Sequence, residues 1–134
     1  MLKANYFLKH PLGTAILCLL SITSQAETFK TAGDVDKSKW FHQTLLPNGD
    51  SWYNNEQQHY TDRLINASTY GGHLEITAQK EEFTGQGVTK QFTSARLNSK
   101  FAFTYGRVEV RAKVPEGHGT WPAIWMLPKD IKEM

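Results

Sequence analysis

Apolar and polar residues alternate with period two along most of the chain, which is the pattern of half-buried β-strands. Between Tyr105 and Leu127 it is clearest. Val108, Val110, Ala112 and Val114 alternate with Arg107, Glu109, Arg111 and Lys113. Pro115, Gly117 and Gly119 then mark a bend. Beyond it, Trp121, Ala123, Trp125 and Leu127 fall on one face of a second strand, with Pro122, Ile124 and Met126 on the other. The stretch is expected to form two strands joined by a turn, with Ile124 and Met126 in the core. Two tryptophans flanking a small alanine on one strand face would make a flat aromatic surface with a dip, a shape suited to a sugar ring. The competing reading for each tryptophan is an ordinary core position.

Earlier segments repeat the pattern. His73 to Ala78 places Leu74, Ile76 and Ala78 inward. Gln91 to Asn98 places Phe92, Ser94, Arg96 and Asn98 on one face and Thr93, Ala95 and Leu97 on the other. Phe101, Phe103 and Tyr105 follow with the same period, and Glu27 to Phe29 allows a short first strand. Turn residues separate these runs at Pro47-Asn48-Gly49-Asp50, Gly71-Gly72 and Gly85 to Gly87. Short strands with closely spaced turns predict an antiparallel all-β sandwich or barrel. The segment from Ser51 to Tyr60 stands apart because it mixes amides and aromatics, and amides are poor core fillers. Asn66-Ala67-Ser68 has the form of a glycosylation sequon.

The first residues read differently. Lys3 and Lys9 form a basic start, Leu12 to Ile22 is an apolar run, and Ser24-Gln25-Ala26 is a small-x-small site. That order predicts a cleavable signal peptide over residues 1–26, cut after Ala26, and a secreted or periplasmic product. The apolar run is shorter than the roughly 20 residues a membrane-spanning helix needs. Lys3 and Lys9 are the only charged residues of that segment. Residues 27–134 therefore carry 15 − 2 = 13 cations against 13 acids, so the formal +2 belongs to the leader. Charge gives no case for nucleic acid or a membrane surface as partner. The single cysteine, Cys18, leaves with the leader, and no disulfide or thiolate metal site is expected. His59, His73 and His118 lack metal-ligand spacing, and His73 and His118 are expected at the surface.

Three segments in order, NNEQQHYTDR at 54–63, TSARLNSK at 93–100 and FTYGRVEVRAKVPEGHGTWPAIWML at 103–127, resemble glycoside hydrolase family 16. The nearest branch is the bacterial laminarinase-like endo-β-1,3-glucanases. The resemblance runs from about Trp40 to Leu127. It implies a concanavalin A-like jelly-roll β-sandwich with a polysaccharide cleft, and retaining hydrolysis by two carboxylates about 5–5.5 Å apart. It also implies that residues 27–134 are the first part of a catalytic domain. The family's Glu-x-Asp-x-(x)-Glu strand would then lie beyond Met134, and no residue here is assigned as catalytic. Asp130 and Glu133 match part of that motif by spacing, but Pro128 stands where its first glutamate should be.

The resemblance implies a cleft role for Arg96, whose guanidinium can donate to sugar hydroxyls. It implies stacking positions for Trp121 and Trp125 and places one of Asn54 and Asn55 in the cleft; an Asx turn is the plain alternative for either. Glu56 shares that motif without a catalytic assignment. No cofactor is required and no metal ligands are assigned, although the family resemblance admits a structural calcium. The expected partner is a polysaccharide, β-1,3-glucan first, bound by a monomer. The alternative is a lectin-like module that holds β-glucan without cutting it.

Overall fold

The computed structural model describes residues 2–7 by their backbone pairing, and residues 29–47 and 49–129 in full. Cys18, Ala26, Asp130 and Glu133 lie outside the described residues. The elements are β1 (Leu2–Phe7), β2 (Trp40–His42), β3 (His59–Tyr60), β4 (Ala67–Tyr70), β5 (His73–Ile76), β6 (Gln79–Gly85), β7 (Val88–Ser94), β8 (Arg96–Ser99) and β9 (Trp121–Met126). A 3-10 turn at Tyr53–Asn55 is the only helical piece among the described residues. The all-β expectation holds.

Among the described residues three sheets form, in the orders β2-β8-β1-β9, β3-β7-β6 and β4-β5. Every pairing is antiparallel except β3 with β7. The β6–β7 hairpin turns at Gln86 and Gly87, both with positive φ (56° and 79°), as a two-residue hairpin matched to strand twist requires. Gln86 then ties the hairpin tip to the loop after β2. Its Nε2 donates to the Thr44 carbonyl at 2.9 Å, and its Oε1 accepts from the Leu46 amide at 3.0 Å.

Strand β8 is buried on both faces because two apolar clusters flank the region. One contains Val35, Trp40, Ala67, Ala95 and Leu97, with Phe29, Leu74 and Ile76 packed against it. The inward assignment of Leu74 and Ile76 and the split of Ala95 and Leu97 from Arg96 and Asn98 both agree with the alternation. The other contains Leu46, Trp52 and Tyr60, supported by Val88 and Ala123.

A buried polar network joins β6, β7 and the loop before β4. Asn66 is fully buried; its Oδ1 accepts from Thr61 Oγ1 (2.5 Å) and Arg63 Nη2 (3.1 Å). Its Nδ2 donates to the Thr77 carbonyl (3.1 Å) and Thr93 Oγ1 (3.0 Å). Arg63 and Thr93 both bond the Glu81 carboxylate, and Arg63 lies over the Phe83 ring. The sequon at Asn66 is therefore closed to a glycan in the folded chain.

Three expectations are corrected. The hairpin predicted over Tyr105 to Leu127 does not form: β9 is present, but residues 107–114 pair with no strand among the described residues. Alternation sets which face a side chain takes, but a strand also needs a partner edge for its N–H and C=O groups, and Leu2–Phe7 occupies the facing edges of β8 and β9. Strand β1 lies between β8 and β9, with Asn5 opposite both Arg96 and Ala123. Nor do Phe101, Phe103 and Tyr105 form a strand; Phe101 and Phe103 stack with centroids 5.9 Å apart, and Tyr105 is exposed. Finally, Ile124 and Met126 are exposed rather than in the core, because among the described residues no second layer covers that face of β9.

Candidate functional site: an arginine held among aromatic rings

The site is built where β8, β3 and β9 meet. Alternation along β8 sends Leu97 to one cluster and Arg96 and Asn98 to the opposite face. Gln43, just past β2, receives both: its Oε1 accepts from Arg96 Nε (2.9 Å) and Asn98 Nδ2 (3.0 Å). The Gln43 amide also donates to the Arg96 carbonyl at 2.8 Å.

Arg96 is almost wholly buried, at 2 % exposure. Its guanidinium carbon lies 5.3 Å from the Trp52 ring, 6.0 Å from Tyr60 and 5.2 Å from Trp125. A cation out of water needs compensation, and ring faces with their negative quadrupole supply part of it. Trp52 and Tyr60 meet edge to face at 4.7 Å, so the floor under the arginine is itself packed.

Glu56 closes this arrangement from below. It is buried, and its Oε2 accepts from the Tyr60 hydroxyl (2.8 Å) and from Gln58 Nε2 (3.3 Å). Burial raises its pKa above the ordinary glutamate value; the Tyr60 hydrogen bond, the charges of Arg96 and Lys90, and the Gln58 bond oppose that rise. Lys90 Nζ also donates to the Glu56 carbonyl at 3.3 Å. The amide-rich segment, expected to be poor core material, is buried at Glu56, Gln58 and His59 because those side chains find partners; His59 Nε2 lies 2.9 Å from the Val88 carbonyl.

The sequence-derived candidates divide. Arg96 and Trp125 are brought into contact. Trp121 lies on the same strand four residues away and is exposed, as is the outer part of Trp125. Asn54 and Asn55 occupy the 3-10 turn before Glu56, both exposed and with positive φ (60° and 57°), a conformation asparagine tolerates better than most residues. His73 and His118 are exposed. Sequence reasoning missed Trp52, Tyr60 and Gln43 as neighbours of the arginine. The signal for the first two was present in the aromatic–amide segment; Gln43 carries none.

Glu81 is held by Arg63 and Thr93, and those bonds, Arg63 first, lower its pKa. Glu109 pairs with Arg107. Among the described residues, no group of three or more His, Cys, Asp or Glu side chains could hold a metal ion. No helix among them is long and apolar enough to cross a membrane.

Comparison with known proteins places this geometry. The model of the glycosyl hydrolases family 16 matches residues 49–134. The chain is 44% identical over 106 residues to a beta-glucanase of Rhodothermus marinus, covering 77% of the chain and 35% of that protein. It is 55% identical over 49 residues to a beta-1,3-glucan-binding protein of Penaeus monodon, covering 35% of the chain and 13% of that protein. A crystal structure of a LamA variant from Zobellia galactanivorans, in complex with laminaritriose and laminaritetraose, superposes with a TM-score of 0.57 at 53% identity. That match covers 59% of the chain and 32% of the LamA chain. The chain thus spans about a third or less of these proteins, and residues 49–134, which match the family, contain the arginine, its aromatic floor and β9. It belongs to the glycosyl hydrolases family 16, and its fold is that family's jelly roll.

Proposed function

We propose that this chain forms the sugar-holding part of a retaining endo-β-1,3-glucanase. The observation that carries the reading is the contact of Arg96 with Trp125 on a strand face where Trp121 is also exposed. A ring face can stack on the C–H face of a glucose unit while a guanidinium donates to its hydroxyls. β-Glucan is the substrate class of the glucanase it resembles, and the LamA variant was captured with β-1,3-linked oligosaccharides. The nucleophile and the acid/base would come from a Glu-x-Asp-x-(x)-Glu strand of the same domain, following the two-carboxylate mechanism. Residues 1–26 would act as an export leader, giving a secreted or periplasmic monomer.

The test is reducing-sugar release by the intact protein from laminarin, mixed-linkage glucan, agar and carrageenan. Release from laminarin above the others supports the reading; release only from a galactan overturns the substrate assignment. The likeness to a β-1,3-glucan-binding protein favours a second reading, a module that binds β-glucan without cleaving it. Laminarin binding without sugar release would select it.

A further inference from the structure

Arg96 is fixed from two sides by groups that no functional assignment covers. On one side, Gln43 Oε1 receives Arg96 Nε and also Asn98 Nδ2, so a single carbonyl oxygen fixes two alternate side chains of β8. On the other, Glu56 holds the Tyr60 hydroxyl, and Tyr60 packs edge to face on Trp52. Those two rings form the floor beneath the guanidinium. All four supporting side chains are at least partly buried, and Glu56, Trp52 and Tyr60 are nearly inaccessible. A long side chain with several rotatable bonds reaches one defined position only when its partners are themselves fixed.

We propose that Gln43 and Glu56 are positioning residues that set the Arg96 guanidinium against Trp125, and so set the angle at which that tryptophan meets a sugar. Gln43 acts directly through its carbonyl oxygen. Glu56 acts through Tyr60 and as the buried carboxylate facing the charges of Arg96 and Lys90. Neither touches substrate. The part of this inference concerning sugar rests on the function proposed above; the part concerning geometry does not.

The test compares Gln43→Met and Glu56→Gln with the parent in the intact protein labelled with 5-fluorotryptophan. The resonances are assigned by single Trp→Phe changes at Trp40, Trp52, Trp121 and Trp125. The expected result is a moved Trp125 resonance in both variants with the Trp40 resonance, in the other apolar cluster, unmoved. The dissociation constant for laminaritetraose should rise about tenfold, the scale of a lost hydrogen bond to a charged group. A merely structural role would move the Trp40 signal as well and leave the affinity of the folded fraction unchanged. Trp125 resonances identical to the parent in both variants would overturn the proposal. If the parent itself does not bind laminaritetraose, the sugar reading falls, and the fluorine shifts still decide the positioning role. If Glu56→Gln fails to fold, Tyr60→Phe, which removes the hydroxyl and keeps the ring, takes its place with the same expected shifts.

Discussion

The guanidinium of Arg96 and the ring of Trp125 meet at 5.2 Å although their strands are not neighbours. Strand β1 lies between them, so β8 and β9 are roughly 10 Å apart. The two side chains therefore lean toward each other across the face of the intervening strand. That makes Trp125 both a candidate stacking surface and a wall of the arginine's enclosure. Replacing it should act twice. Trp125→Ala is expected to weaken laminari-oligosaccharide binding by about 1–3 kcal/mol, the range for stacking on aromatic platforms. Isothermal titration of the intact protein measures this; unchanged affinity would remove Trp125 from the site.

Substituting Arg96 tests the geometry rather than the charge. Lysine keeps the cation but lacks the planar fork that stacks on rings and donates along fixed directions. Arg96→Lys should therefore lose most of the affinity that Arg96→Ala loses, with the charge restoring little. A lysine variant that binds laminaritetraose as tightly as the parent would show that a point charge suffices.

The raised pKa of Glu56 gives a signed pH effect on stability. A carboxyl whose folded pKa exceeds its unfolded value adds stability that is fully present below the ordinary value of 4.5 and is lost as pH rises through the folded pKa. Glu81 and Asp34, whose pKa values are lowered by Arg63 and Lys37 respectively, act in the opposite direction as pH falls. Glu56→Gln leaves those two groups in place, so the difference between variant and parent isolates Glu56. The variant's unfolding free energy should gain on the parent's as pH rises from about 4 through the folded pKa. A pH-independent difference in urea unfolding would show that burial does not raise the Glu56 pKa in the folded chain.

Asn66 illustrates a stability role hidden inside a modification motif. Its amide oxygen and nitrogen both serve buried or half-buried partners on β7 and the adjoining loops. Asn66→Ala would leave several of those groups without a partner, at a cost of about 3 kcal/mol. Chemical denaturation should show this as a lower midpoint with little change in slope.

Strand faces were legible because the period-two pattern depends only on local sequence. It separated Leu97 from Arg96 and placed Leu74 and Ile76 inward. The aromatic–amide composition marked the segment holding Trp52 and Tyr60, but their contact with Arg96 was not legible, since they reach it through the tertiary path of an irregular segment. Gln43 carries no pattern, and its role appears only when β2 is laid beside β8. Residues 107–114 fail for a third reason: their alternation is that of a strand, but pairing is decided by which edges are free. The same competition explains why Leu2–Phe7, read as the start of a leader, appears in the sheet.

That competition gives the last prediction. Among the described residues, strand β9 joins its sheet only through β1. If residues 1–26 are removed on export, β8 and β9 lose their shared neighbour and present open edges to each other across an empty lane. Residues 107–114 lie between them in sequence and, in a meander, would run antiparallel to both, as β1 does. With Val108, Val110, Ala112 and Val114 on the Leu97 face, Arg107, Glu109, Arg111 and Lys113 would fall on the Arg96 face. The processed protein should therefore show slowed amide exchange across 107–114, where the unprocessed protein exchanges fast, while β9 stays protected in both. Fast exchange of both 107–114 and β9 after processing would mean that the lane stays open. Binding by Trp121 and Trp125 would then require the leader to remain in place.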